Sequence, residues 1–328
     1  MEGTQLLKCV LYTWGANSYG QLGQGHSEDQ AEPRRADGGL QAEQTRCMAG
    51  GGGHSAVITE SGELLMCGQN HKGQLGLSHT SEVITFQPCP LTGCSRVQQV
   101  SCGWDFSVIL TGDGQVLVCG SNAFGQLGVS PGITHSAEPL HVKTLNEPVT
   151  SVAAGLRHAL ASTALVLTFS SAGFDHVTPQ KVVAGSTHCI CLTVKGDVFL
   201  WGSNKHGQLV SESLFLPLPV ALDRSLLQGE RVTDVHSGWT HLVAKTESGR
   251  VFTWGRANYG QLGQTSQRGR IVSWGWNEHG MCGDGSLCDV TQPRPIPRFR
   301  DATALLIGCG SGHSMALCSL KSNEDSAS

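Results

Sequence analysis

Three stretches of the chain repeat one pattern of apolar and polar positions. Residues 54–68 read HSAVIT-ESG-ELLMCG, 188–202 read HCICLT-VKG-DVFLWG and 241–255 read HLVAKT-ESG-RVFTWG. Each stretch holds two short runs rich in apolar, β-branched or aromatic residues, split by a turn with a glycine, Gly62, Gly196 or Gly249, and Gly114 repeats that turn at 106–120. Runs of this length around such a turn predict β-hairpins, with Gly supplying the positive φ that a tight turn demands. Helical spacing with caps is essentially absent, so the pattern predicts an all-β chain.

A second element follows the hairpins. It reads YTWGANSYGQLGQG at 12–25, CGQNHKGQLGL from Cys67, CGSNAFGQLGV from Cys119, WGSNKHGQLV from Trp201, WGRANYGQLGQ from Trp254 and, more loosely, WGWNEHGMCGDG from Trp274. The glycines that open its GQLG part (Gly20, Gly73, Gly125, Gly207, Gly260 and Gly280) are separated by 53, 52, 82, 53 and 20 residues. A Gly-x-x-His marker ends at His54, His158, His188, His241 and His313, with Phe106 in the same place, and its steps are 52, 52, 30, 53 and 72. Two independent markers thus give a unit of about 52 residues, the signature of a repeat architecture. A unit this long holds about four strands, which makes it a propeller blade. A stacked solenoid would need only roughly 20–30 residues per turn.

Two steps fall short of whole units, by about 22 residues between Gly125 and Gly207 and by about 32 between Gly260 and Gly280. STALVLTFSSAGFD (162–175) stands where a WGxN element is due, and QTSQRGRIVSWGW (264–276) contains no Gly-x-x-His. The expectation is a seven-bladed β-propeller with two blades truncated, near residues 162–180 and 264–274. It occupies residues 10–318 as a single domain, between a lead-in at 1–9 and a disordered polar tail at 319–328. Trp14, Trp201, Trp254 and Trp274 are expected to end an inner strand and pack between blades. Leu22, Leu75, Leu127, Leu209 and Leu262 would plug the gap to the next blade.

Composition narrows the function. A net charge of −4 argues against holding nucleic acid by counterion release. Thirteen Cys occur with no CxxC pair, and Cys67 and Cys119 take the place of Trp in their units, so the thiols read as reduced core residues. The first residues, MEGTQLLKCVLY, lack the cationic and apolar segments of a signal peptide. No stretch approaches the ~18 apolar residues of a membrane span, so no membrane insertion is expected. The expected setting is cytoplasmic, with nuclear entry left open. One His per unit gives no set of three or four converging metal ligands, and these His read as buried and bonded to backbone. GGGG (50–53) lacks the strand-to-helix context of a phosphate cradle. QPRPIPR (292–298) reads as a connector between strands. Neither a cofactor nor covalent chemistry is expected.

Gly-x-x-His, a Gly-turn hairpin and Trp-Gly-x-Asn-x-x-Gly-Gln-Leu-Gly together resemble the regulator of chromosome condensation repeat family over about residues 10–318. The resemblance implies a seven-bladed propeller with four-stranded blades. Strings such as GGGGHSAV, CGWDF, AAGLRHA, SGWTHLVA and SWGWNEHGMCGDG look like members tied to protein secretion. That likeness implies guanine nucleotide exchange on a small GTPase of unknown identity, with secretory-machinery proteins as further partners. In the founding member, residues just before the repeated His act in exchange. The matching positions here are Gly53, Asp105, Arg157, Thr187, Thr240 and Gly312, and Asp105 is the one carboxylate among them. Trp104 and Trp239 sit one residue earlier in their loops, so the candidate GTPase contacts are Trp104, Asp105, Arg157, Trp239 and Thr240. The founding member also inserts a hairpin into its GTPase, for which steps of 52 and 53 leave no room. The alternative is a non-catalytic interaction scaffold.

Overall fold

The computed structural model describes residues 8–36, 40–91, 93–163, 177–260, 262 and 271–320. Among them every element is a β-strand apart from three 3₁₀ turns. The hairpins form where the pattern predicts them: His54 pairs with Gly68 and Ile58 with Leu64, and the same register joins His188 to Gly202 and His241 to Gly255. Gly62, Gly196 and Gly249 adopt the expected positive φ in their turns.

The first blade runs Thr45–Gly50, His54–Thr59, Leu64–Gly68, Val83–Pro88, and the second Val97–Cys102, Phe106–Thr111, Val116–Ser121, His135–His141. An inner ribbon of two strands follows, Val149–Ala154 and Ala159–Thr163. The third blade comprises Pro179–Ala184, His188–Thr193, Val198–Ser203 and Phe215–Ala221. The fourth has three strands, Val232–Ser237, His241–Thr246 and Val251–Gly255. An outer ribbon pairs Val272–Gly275 with Val290–Pro295. The closing blade joins both ends of the chain in the order Thr303–Cys309, His313–Leu320, Lys8–Gly15, Gln30–Arg35. Its central register is unbroken from Lys8 opposite Leu320 to Gly15 opposite His313. First strands of successive sheets pack on one another and so lie nearest the axis.

These residues therefore form a β-propeller of five blades with two two-stranded ribbons, not seven blades with two truncated. The shortfall near 264–274 is shared: among the described residues the fourth blade has no outer strand and the outer ribbon no inner pair. The shortfall near 162–180 leaves the inner ribbon without outer partners, although 164–176 lie outside the described residues. Among the described residues the first strand starts at Lys8 and the last ends at Leu320, and these two terminal strands pair with each other. No helix of the described residues is long and apolar enough to cross a membrane.

The repeated element acts as a clip. Asn17 Oδ1 accepts from the Leu22 amide at 3.0 Å while its Nδ2 donates to the carbonyls of His26 and Glu28. Asn70, Asn122, Asn204 and Asn277 repeat this arrangement. Leu22, Leu75, Leu127 and Leu209 are buried as a result. Trp14 ends the third strand of its sheet rather than an inner one, and its Nε1 donates to the Met281 carbonyl at 2.8 Å. Cys67 and Cys119 use the same contact, donating Sγ–H to the carbonyls of Gln21 and Gln74. Burial raises both thiols well above their ordinary range and keeps them as donors.

Candidate functional site

The Gly-x-x-His segments form one face of the ring, and local chemistry dictates their shape. In each the Gly amide donates to the carbonyl three residues on, as from Gly51 to His54 at 2.9 Å and from Gly310 to His313 at 2.8 Å. The imidazole folds back over the Gly. A Cβ at Gly185 would lie 2.0 Å from His188 Cε1, which only Gly avoids.

His54, His158, His188 and His313 then tie their units to the next. Ser55 Oγ donates to the Gln21 carbonyl and so accepts from His313 Nε2 at 2.7 Å, and Ser107 likewise accepts from His54 at 2.9 Å. These imidazoles therefore carry a proton on Nε2. Burial pushes His54 down to about 3, helped by nearby His313, and pushes His313 to about 4. Leu242 occupies the position of those serines in the fourth blade, and His188 instead contacts Ser237 Oγ at 2.9 Å. Where a Cys replaces the Ser, Cys189 Sγ lies 3.3 Å from His158 Nε2.

Loop joins loop across this face. The Gly52 amide donates to the Gly103 carbonyl at 3.0 Å, Ser311 to Gly51 at 3.0 Å and Ser186 to Trp239 at 2.9 Å. From opposite arcs of the ring, Trp104 and Trp239 meet edge to face with ring centroids 5.3 Å apart. Each is a little under half exposed. Asp105 is partly exposed, and among the described residues its carboxylate has no hydrogen-bond or ionic partner. Its carbonyl accepts from the Ser121 amide at 2.9 Å and holds the loop in place. Arg157 stacks 4.4 Å above Phe124 of the second blade. Thr240 is buried, and its carbonyl accepts from Arg256, so it shapes the loop beneath Trp239 rather than presenting itself on the face.

Sequence reasoning missed an outer aromatic arc. The residue before each GQLG-type glycine is Tyr19, Lys72, Phe124, His206, Tyr259 or His279, a bias visible once the six copies are aligned. Tyr19 lies against Gly53. Trp276 lies tilted against Tyr259 and edge to face with His279, with Arg256 4.9 Å from the Tyr259 ring centre. Among the described residues no group of acidic, His and Cys side chains could hold a metal. The face offers exposed aromatics, one free carboxylate and stacked arginines, the residue types that anchor protein interfaces.

Residues 10–268 match the RCC1-like domain, and residues 268–317 match the regulator of chromosome condensation (RCC1) repeat. The chain is 44% identical to the secretion-regulating guanine nucleotide exchange factors of Bos taurus and Mus musculus. The matches cover 95% of this chain and 83% and 84% of those proteins. The bovine match spans 388 positions, more than the 328 residues present here, so that relative carries several dozen residues that face nothing in this chain. Among solved structures, Prp20p of Saccharomyces cerevisiae, described with its binding to Gsp1p and histones, superposes with a TM-score of 0.82 at 21% identity. That superposition covers 98% of this chain and 94% of Prp20p.

Proposed function

Because the chain belongs to the regulator of chromosome condensation family, we propose that it is a guanine nucleotide exchange factor for a small GTPase, acting in the regulation of protein secretion. Two relatives with that name, matched over nearly the whole chain, support the reading. Exchange requires no covalent step. A protein that binds the nucleotide-free GTPase more tightly than the loaded one must lower nucleotide affinity by the same factor. The observation that carries the proposal is the Trp104–Trp239 pair with the unpartnered Asp105 beside it. The indoles supply anchoring area, and a carboxylate set against the phosphate-holding region would compete with the phosphates for the same donors. Secretory proteins on the same face, and a cytoplasmic setting with nuclear access, belong to this proposal.

We read the two ribbons as the inner half of one unit and the outer half of another, a seven-unit plan with parts removed. The longer aligned span of the relatives supports that reading.

The test is release of a fluorescent guanine nucleotide from a panel of small GTPases. Acceleration of at least one is expected. Trp104→Ala or Trp239→Ala should weaken GTPase binding by ~2 kcal/mol, roughly 30-fold. Asp105→Ala should abolish exchange while leaving the fold intact, and unchanged release would remove Asp105 from the site. One observation favours the scaffold reading: the incomplete ring lacks a Gly-x-x-His loop between His241 and His313. GTPase binding without release on any member of the panel would select it.

A further inference from the structure

Two residues before the end of the first strand of each blade and of the inner ribbon, the chain places one apolar side chain against the preceding unit. The strand registers align these positions as Met48, Val100, Val152, Val182, Val235 and Ile307. Val100, Val152, Val182 and Val235 are between 1% and 6% exposed, and Met48 is half-buried. Ile307 is 71% exposed.

The opposing wall is equally bare. Val251 of the fourth blade is 59% exposed, and Val243 beside it is only partly buried. Between these walls lies the outer ribbon. Its Val272–Gly275 strand carries the Trp-Gly pair of a third strand and is bonded to Val290–Pro295 on one side alone. Its inward edge therefore presents backbone donors and acceptors without a ladder among the described residues, a template for strand addition.

We infer that the space between the fourth blade and the closing blade is a binding site for a β-hairpin supplied by another protein, two antiparallel strands with apolar side chains on both faces. The occupant's form follows from the other units. In each intact blade two inner strands fill this place, pairing with the third strand by backbone and packing on both neighbouring blades by side chain. Such an occupant would add a ladder to Val272–Gly275 and cover Ile307 with one face and Val251 with the other. Strand addition of this kind draws affinity from the main chain and selectivity from alternate side chains. The inference is independent of nucleotide exchange.

The probe is a synthetic peptide of residues 232–246, VTDVHSGWTHLVAKT, an inner pair from this chain that is rich in polar residues. Added to the full-length protein, it should raise Tm saturably by roughly 3–6 °C, while a scrambled peptide does not. Ile307→Lys should leave the Tm of the free protein unchanged and remove the response. No shift with the peptide, or an equal shift with the scrambled one, overturns the proposal. So does a loss of basal Tm in Ile307→Lys as large as in Val100→Lys, which would mean that the gap is already filled. A concentration-dependent dimer that Ile307→Lys abolishes would overturn the choice of occupant and put a second copy of this chain there.

Discussion

The seam between the first and second blades and the seam after the fourth blade start from the same hairpin sequence pattern and end differently. At the first, Ala56, Ile58, Leu64 and Met66 face Val97 and Val100, and all six are buried. At the second, the equivalent positions are Val243, Lys245, Val251 and Thr253, and Lys245 and Val251 are exposed. Both hairpins nevertheless hold the same register. Turn glycines and the Asn and His clips are therefore enough to shape a unit, while its burial depends on the neighbour. Each buried aliphatic contributes ~1.5–3 kcal/mol, so the two seams differ by several kcal/mol in what they add to stability. Lys245 and Thr253 already suit solvent, whereas Ile307 across the gap does not.

The contrast is sharpest for one substitution made twice. Val100→Lys places an unpaired charge in a closed seam and should cost ~3–5 kcal/mol or more, enough to unfold a marginal domain. Ile307→Lys should stay within about 0.5 kcal/mol. Urea midpoints of the two variants against the parent decide the matter, and equal losses would erase the difference between the seams.

A second effect separates units that carry the His from the unit that carries Phe106. His54, His188 and His313, lowered by burial to about 3 or 4, are neutral when folded and titrate near 6.5 when unfolded. Below pH 6.5 the unfolded chain binds more protons, so the stability from each neutral His, fully present above that pH, is lost as pH falls towards 4. Each contributes a slope of up to ~1.4 kcal/mol per pH unit. His54→Phe, which copies the second blade, should lower the slope of urea stability between pH 6 and 5 by one such step. An unchanged slope would mean that His54 titrates alike in both states.

The smallest effect concerns the inner strands of the third and fourth blades, where Lys181 Nζ lies 2.7 Å from Asp234 and both side chains are partly exposed. A double-mutant cycle with Lys181→Met and Asp234→Asn should give a coupling of only ~0.2–1 kcal/mol. A larger value would show that this ion pair, rather than apolar packing, holds the two blades together.

The repeat, the hairpins and the Gly-x-x-His loops were legible because each depends on residues within about fifteen positions of one another. The spacing also revealed that material is missing. It could not show that the second shortfall falls across a blade boundary, because counting residues does not say which strands they formed. The meeting of Trp104 with Trp239 was hidden for a related reason: ring curvature brings them together, and no local pattern encodes it. Asp105 and Arg157 stand on this face, whereas Thr240 is buried, a difference that no local pattern separates. Nor could the pairing of Lys8–Gly15 with His313–Leu320 be read from one repeat, since the unit boundary falls inside a sheet.

That terminal pairing fixes an order of events during synthesis. Lys8–Gly15 leaves the ribosome about 300 residues ahead of His313–Leu320, the strand it pairs with. At ~5–20 residues per second it waits on the order of 15–60 s before the circle can be fastened. A permuted chain with new ends in an exposed surface turn, and the present ends joined by a flexible linker, would carry that clasp as a continuous hairpin from the start. Its refolding after dilution from urea should be faster than the parent's, because the most distant contact in the molecule would have become one of the nearest.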